Sequence, residues 1–352
     1  NLQSWTIILA LCTFTLSMSG TFLVRSGILN SIHTFANDPE RGVFILIFLF
    51  VLIMSALIIF FKYSNFEKES SSFILSKETS IVINNWFMMY FLAVVLIGTI
   101  YPIFLEVLTT EKISVGPPYF NQLIVPLLIP FLFFMSFGPK LDWIKNKTNQ
   151  IKIKKIILFI LSILISFFIV KHLNTKILYL TILMSVSVYL FFVSIIDLKN
   201  KKLKISQKIS HLAFSILIIS ILMNSLFSEE ASVNLNKGEQ KKVSNYLIKF
   251  NNISKTEIDN YTSLRAEIEV ASDEKELIFY PELRLYKMPE TITSEADIKT
   301  NLFNDNLVVV NYLKDTDYLN IRYQKKPFML LIWLSAIMLA VGGLLGLRNK
   351  FR

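Results

Sequence analysis

The chain has 352 residues, 53% of them hydrophobic, with 30 phenylalanines and a net charge of +10. Its apolar residues form runs of about twenty, each long enough to cross the roughly 30 Å hydrocarbon core of a bilayer. This pattern excludes an ordinary soluble enzyme or nucleic-acid-binding protein. A single cysteine, Cys12, excludes intramolecular disulfides and metal sites built from several thiolates.

The apolar runs predict eight membrane-spanning helices. In chain order they lie near 5–24, 42–61, 86–105, 123–138, 155–170, 177–196, 209–227 and 328–347. Residues 1–227 are therefore expected to form a region of seven spans, and residues 328–352 the last span with a short cytoplasmic tail. The chain starts at Asn1 and enters a span almost at once, without a signal peptide, so we expect it to be a piece of a longer protein.

The distribution of Lys and Arg among the loops predicts the orientation of the chain in the membrane. The basic segments are 62–85, 139–154, 197–208 and the tail from 348, whereas the loops with few basic residues are 25–41, 106–122 and 171–176. Basic loops remain on the cytoplasmic side, so the second set is predicted to face outward. The expected location is the bacterial inner membrane, with the mitochondrial inner membrane as the alternative.

Prolines mark the stretch before the fourth span. The sequence SVGPPYFNQLIVPLLIPF (114–131) predicts a rigid outward turn that leads into a helix interrupted by Pro126 and Pro130. A kink that serves only packing is the favoured interpretation.

The sequence contains no GxGxxG, P-loop or HExxH motif and no recognisable Ser/His/Asp arrangement, so none of these common catalytic chemistries is indicated.

Residues 228–327 separate the last two spans and are too long to be a simple loop. Apolar and polar residues alternate in four stretches: NYLIKF (245–250), AEIEV (266–270), LVVVNYL (307–313) and YLNIRYQ (318–324). A period of two between Asn, Asp, Ser and Pro residues is typical of short strands. We predict a small all-β domain, which the charge distribution places on the outer side, in the periplasm or intermembrane space.

The first outward loop, within GTFLVRSGILNSIHTFANDPERGVF, contains a histidine that helix formation does not explain. Asp38 and Pro39 are typical of a helix start, and Glu40 complements the positive end of the second span. Arg25 can reach the headgroups from the end of the first span. His33 has no such role. An exposed loop histidine is most often inert, but imidazole is also the commonest metal ligand.

A second histidine, His211, lies just inside the seventh span in QKISHLAFSILIIS. Ionisable groups inside a membrane are costly and usually face a partner or a cofactor, and imidazole is a common haem ligand. The alternative is a histidine that snorkels to the surface among Lys204 and Lys208. For the third histidine, His172, contact with lipid headgroups is favoured, because it lies in a short outward loop beside Lys171.

Several blocks of the sequence resemble one known family. SGTFLVRSGILNSIHTFANDPERGVFIL (19–46) closely resembles a loop of the CcmF family, the membrane haem-lyase subunits of system I cytochrome c maturation. The resemblance continues, in the family's order, in VGPPYFN (115–121), KISHLAFSILIISILMNSLFS (208–228), YPELRLYKMPETITSEADI (280–298) and KPFMLLIWLSAIMLAVGGLLGL (326–347). The family's tryptophan-rich WWD segment would precede Asn1, so the resemblance is to the C-terminal half.

The resemblance implies two kinds of haem site. In the family, two outward histidines bind haem delivered by the haem chaperone CcmE, and two membrane histidines hold a separate b-type haem that serves as reductant. His33 matches the second outward ligand and His211 the second membrane ligand, so both are expected to bind haem iron; their counterparts would precede Asn1. Arg25 and Arg41 flank His33, and we predict that they pair with the haem propionates, since guanidinium groups suit carboxylates. Simple anchoring is the competing role.

The activity implied is thioether formation between haem and the CxxCH cysteines of apocytochrome c. Such a site needs haem ligation and orientation more than an acid/base pair. The expected partners are CcmE, CcmH-type subunits that reduce thiols and handle apocytochrome, apocytochrome c, the N-terminal half of the same protein and membrane lipid, but no nucleic acid. Two alternative functions stay open. A haem transporter should show inverted repeats or broken helices, and a b-type electron-transfer subunit should have paired histidines in its spans.

Overall fold

A computed structural model describes most of the chain, and the described residues form eight long helices and ten strands. The residues described are 2–25, 39–63, 76–109, 113, 115–143, 153–172, 178–272, 276–287, 290–312 and 318–348. By length and composition, all eight helices qualify as membrane spans. The predicted fold class, a helical membrane protein with a small all-β domain, is confirmed. The chain divides into two compact units, residues 1–156 and 157–352.

The first unit contains two pairs of packed helices. Its elements are α1 (Leu2–Arg25), α2 (Pro39–Tyr63), α3 (Lys77–Thr109), α4 (Pro117–Phe137) and a short 3-10 turn (Gly138–Lys140). Helix α1 packs against α2, and α3 packs against α4. Many large apolar side chains on these helices remain exposed, as expected where the surrounding solvent is lipid rather than water.

Helix α4 starts earlier than the sequence suggested. Pro117 and Pro118, expected to form a turn, instead occupy the first helical positions, where the missing amide hydrogen has no intrahelical acceptor in any case. Two tyrosine hydroxyls then tie the pair together. That of Tyr90 on α3 donates to the carbonyl of Leu123 at 3.0 Å, and that of Tyr119 on α4 donates to the carbonyl of Val94 at 3.3 Å.

In the second unit, one helix is buried by its neighbours. The helices are α5 (Ile153–His172), α6 (Leu178–Asp197), α7 (Ile205–Phe227) and α8 (Met329–Arg348). Ten residues of α6 are buried, on all of its faces, and its Tyr189 ring meets Phe159 of α5 edge-on with centroids 5.3 Å apart. Helix α7 packs against both α6 and α8.

The contact between α7 and α8 depends on small residues four positions apart. Ser206 and Ser210 of α7 face Gly342 and Gly346 of α8. A Cβ atom at Gly342 would lie 3.1 Å from the amide nitrogen of Ser210 and 3.3 Å from the carbonyl oxygen of Ser206. Membrane helices associate through close packing of this kind, because lipid offers no hydrophobic driving force between them.

Residues between α7 and α8 form a β-sandwich. Its strands are β1 (Glu229–Leu235), β2 (Gln240–Val243), β3 (Tyr246–Ile258), β4 (Tyr261–Ala271), β5 (Glu276–Phe279), β6 (Glu282–Lys287), β7 (Glu290–Glu295), β8 (Asp297–Thr300), β9 (Asn304–Tyr312) and β10 (Leu319–Pro327). One sheet has the order β1-β10-β9-β8 and the other β2-β3-β4-β6-β7, with β5 paired to β4. All pairings are antiparallel.

The core of the sandwich is formed by the inward side chains of both sheets. Ile248 and Ile268 come from one sheet and Val308 and Ile321 from the other, and none of the four is measurably exposed. The four stretches predicted as strands lie in β3, β4, β9 and β10. The remaining strands are shorter or more polar, so their alternation is too brief to stand out in the sequence.

Two buried tyrosines connect the sheets at the end nearest the helices. The rings of Tyr246 and Tyr323 are 4.7 Å apart. The hydroxyl of Tyr246 donates to Glu229 Oε2 at 2.7 Å and that of Tyr323 to Asn306 Oδ1 at 3.0 Å. Burial raises the pKa of Tyr323 to about 12. Burial, followed by the bond to Glu229, also raises the pKa of Tyr246 above its ordinary value.

We predict that Gly342→Leu destabilises the second unit, because its side chain would collide with the α7 backbone at Ser206 and Ser210. Overpacking typically costs about 1–3 kcal/mol. The measurement is the thermal unfolding midpoint of the purified chain in detergent. Gly343→Leu is the matched control, since a Cβ at Gly343 meets nothing within 4 Å. Equal midpoints for the two variants would contradict this packing.

The tyrosine pair predicts a specific sensitivity to alkali. Because the folded pKa values lie above the ordinary value of 10.0, the stabilisation is complete below pH 10 and is lost progressively as pH rises above it. Tyr323→Phe should therefore lose less of its neutral-pH free energy of unfolding than the unaltered chain does as the pH rises above 10, because the titrating hydroxyl is gone. For equal stability at neutral pH, this means a higher pH at the midpoint of alkaline unfolding. Tyr312→Phe, which changes an exposed ring, should leave the midpoint unchanged. A Tyr323→Phe profile parallel to that of the unaltered chain would refute the assignment.

Candidate functional site

The structure describes one complete side chain among the four predicted haem-contacting residues, that of His211. Arg25 is the last residue of α1 and Arg41 lies in the first turn of α2, so their backbones are helical, but their side chains fall outside the described atoms. His33 lies outside the described residues altogether. His172 is the last residue of α5, and its side chain also falls outside the description.

His211 is half-buried in the second turn of α7. At 3.6 residues per turn, it shares a stripe with Ser215 and Leu222, four and eleven positions further on, and both of these residues are buried. Ser206 and Ser210, which contact α8, lie on a different face of the helix. The half-buried imidazole therefore lies on a side of α7 that has two buried positions, away from the contact with α8.

Lysines surround the end of α7 where His211 lies. Lys208 donates from Nζ to the carbonyl oxygen of Leu198, just after α6, at 3.0 Å. A cation at a helix C-terminus is stabilised by the helix dipole. His211 follows Lys208 by three residues, or about 4.5 Å along the helix axis. The histidine thus lies about one turn inside the basic end of the helix, at a depth where an ionisable group is costly unless it has a partner.

The chemistry of this position fits one axial ligand of haem iron and no more. A neutral imidazole nitrogen binds iron readily, and His211 can supply one such nitrogen. Among the residues that the structure describes, no group of three or more His, Cys, Asp or Glu side chains is arranged to hold a metal. His211 is the one histidine whose side chain the structure describes, so a second histidine ligand would have to come from outside the described side chains.

The β-sandwich has a polar depression that sequence reasoning missed. It occupies about 280 Å³ on the outer face of β3 and β4 and is lined by Asn252, Ser254, Arg265, Glu267 and Tyr280. The guanidinium of Arg265 lies over the Tyr280 ring at 4.8 Å. The only sequence signal was polar residues two apart on neighbouring strands. This lining is too polar for the flat apolar face of a haem.

Comparison with known proteins gives consistent matches over nearly the whole chain. Residues 226–327 match the family model described as the CcmF C-terminal beta-sandwich. The chain is 30% identical over 369 residues to the cytochrome c-type biogenesis protein CcmF of Pseudomonas aeruginosa, covering 99% of this chain and 55% of that protein. It is 28% identical to CcmF of Escherichia coli, covering 98% of this chain and 55% of that protein.

A solved structure shares the fold. The structure named cytochrome c heme lyase CcmF superposes with a TM-score of 0.70 at 15% identity, covering 97% of this chain and 54% of that one. The chain therefore spans about half the length of the relatives that it matches. The family model for the C-terminal sandwich falls near the end of the chain, so the matching half is the C-terminal one.

Proposed function

This chain is a homologue of the C-terminal half of the CcmF family of cytochrome c-type biogenesis proteins, and from that premise we propose that it is part of a haem lyase. The lyase would receive haem from the haem chaperone CcmE and attach it to apocytochrome c. The observation that carries the proposal is the similarity of 98–99% of the chain to CcmF proteins of two bacteria. The location proposed is the bacterial inner membrane.

The proposed chemistry is addition of a cysteine thiol to a haem vinyl group. The sulfur bonds to one vinyl carbon and the hydrogen goes to the other, so no external oxidant is consumed. The protein has to hold the haem and keep its iron reduced while the CxxCH segment approaches, which is a task of positioning. In this proposal His33 ligates the incoming haem on the outer side, and Arg25 and Arg41 pair with its propionates.

His211 has the separate role of ligating a resident b-type haem within the membrane. When bound, that haem supplies electrons to keep the transferred iron ferrous. Two observations support His211 as a ligand: its half-buried position beside the buried residues Ser215 and Leu222 of α7 and its depth about one turn inside the basic end of the helix. Because α7 supplies one imidazole, the second axial ligand is assigned to the N-terminal half of the family's proteins.

The β-sandwich is proposed to face outward and to contact protein partners. It follows the end of α7 opposite to the lysine-rich segment 199–208, and that basic segment is assigned to the cytoplasm. The polar depression around Arg265 and Glu267 suits a peptide or protein surface better than a haem. CcmH-type subunits and apocytochrome c are the partners proposed for it.

Single histidine substitutions should separate the two haem sites. In the complete protein, His33→Ala should impair capture of haem from CcmE and leave the b-type haem in place, whereas His211→Ala should remove the b-type haem and spare capture. His172→Ala is the control and should change neither. The measurements are haem absorbance spectra of the purified protein with and without haem-loaded CcmE.

Loss of both haems from either single variant, in a protein that still folds, would contradict the assignment of two sites.

The enzyme is distinguished from a haem transporter by its product. Haem covalently attached to apocytochrome c, detected after denaturation, supports a lyase, and export of free haem without attachment refutes it.

Removing the sandwich should abolish partner binding without removing haem. The ends of α7 and α8 are adjacent, because Asn224 Nδ2 donates to the carbonyl oxygen of Pro327 at 2.6 Å, so a short linker can replace residues 229–327. The truncated protein should keep its haem spectrum and no longer co-purify with a CcmH-type subunit or apocytochrome c. Loss of haem with retained association would be the contradicting result.

A further inference from the structure

Two large apolar side chains protrude from the tip of the hairpin between β8 and β9. Leu302 is 75% exposed and Phe303 is 77% exposed. They are the two most exposed large apolar residues in the described part of the sandwich. Scattered exposed apolar residues are ordinary, but two adjacent ones at the apex of a turn form a compact protrusion whose surroundings decide its role.

The hairpin tip lies beside the residue that precedes a membrane span. The amide of Phe328 donates to the carbonyl oxygen of Phe303 at 2.9 Å, and Phe328 immediately precedes α8, whose apolar segment begins at Met329. The Phe328 ring also meets Phe227, the last residue of α7, with centroids 6.4 Å apart. The tip is therefore level with the end of one span and the start of another.

Three backbone amides of the tip are already hydrogen-bonded within the protein. Asn301 Oδ1 accepts from the amides of Phe303 and Asn304, both at 2.8 Å. The amide of Asn301 donates to the carbonyl oxygen of Asn304 at 2.9 Å. Backbone groups without partners are costly wherever water is scarce. The turn can thus leave bulk water without exposing these amides to lipid unpaired.

We propose that Leu302 and Phe303 insert into the outer headgroup region of the bilayer and anchor the sandwich to the membrane surface. Phe and Leu side chains are typical of the apolar surfaces that proteins bury at the boundary between headgroups and acyl chains. The two apolar side chains point away from the protein and do not line a groove. The residues on either side of them in the turn, Asn301 and Asn304, are neutral. A lipid surface is the occupant that this shape and position fit. The anchor adds a third attachment to the two covalent connections of the sandwich.

Site-directed spin labelling tests this proposal directly. The chain has one cysteine, so Cys12→Ser provides a background without thiols for Leu302→Cys, Phe303→Cys and Tyr312→Cys. Tyr312 is the matched control because it is 60% exposed and lies at the other end of β9, about 26 Å from Asn304 at 3.3 Å per residue. The labelled chain is reconstituted into phospholipid vesicles, and label accessibility to oxygen and to a water-soluble nickel chelate is measured.

The expected result is an oxygen-to-nickel accessibility ratio several-fold higher at 302 and 303 than at 312, since oxygen partitions into lipid and the chelate does not. A tip ratio equal to that of Tyr312→Cys, with high chelate access, means that the tip is in water and overturns the proposal. Low access to both reagents means that protein covers the tip, which also overturns it. A thermal unfolding midpoint equal to that of the Cys12→Ser background, measured for each labelled variant, shows that the sandwich remains folded in each comparison.

Discussion

The close packing of α7 against α8 is the interaction on which the second unit depends. About a hundred residues separate the two helices in sequence, yet Ser206 and Ser210 meet Gly342 without space for an added methyl group. Since lipid provides no hydrophobic drive for helices to associate, contact at this distance has to supply the attraction. The pairing brings both connections of the β-sandwich to the same end of the helix pair and so restricts the sandwich to one face of the membrane.

Helix α7 links two regions with different chemistry. His211 lies near its first end and the sandwich begins after Phe227, about 24 Å further along the helix axis. An α-helix holds such a distance fixed, because all of its interior backbone groups are hydrogen-bonded within the segment. In the proposed lyase, this arrangement keeps the electron-supplying haem inside the membrane while partner proteins meet the sandwich outside it.

The junction between helices and sandwich is built from polar contacts in a region where each unpaired group would be costly. Asn224 bonds to the Pro327 carbonyl, and the Phe303 carbonyl accepts from Phe328. Next to the junction, the hydroxyls of Tyr246 and Tyr323 bond to Glu229 and Asn306, and burial of these hydroxyls is the main cause of their raised pKa values. The junction holds the tip of the β8–β9 hairpin next to the start of α8, which is the position from which we propose that Leu302 and Phe303 reach the lipid surface.

Much of this organisation followed from the sequence alone. Eight spans could be predicted because the cost of placing a helix in lipid depends on local composition, and the long strands because their alternation extends over several residues. His211 was recognised as a candidate because an imidazole in an apolar run is unusual. The extra length of α3, the helical start of α4 at Pro117 and the short strands could not be predicted, since polar helix ends and strands of four residues leave little periodic signal. Only the tertiary structure could bring Phe303 beside Phe328 or Ser210 against Gly342, because these contacts join residues far apart in the chain and no local pattern records them.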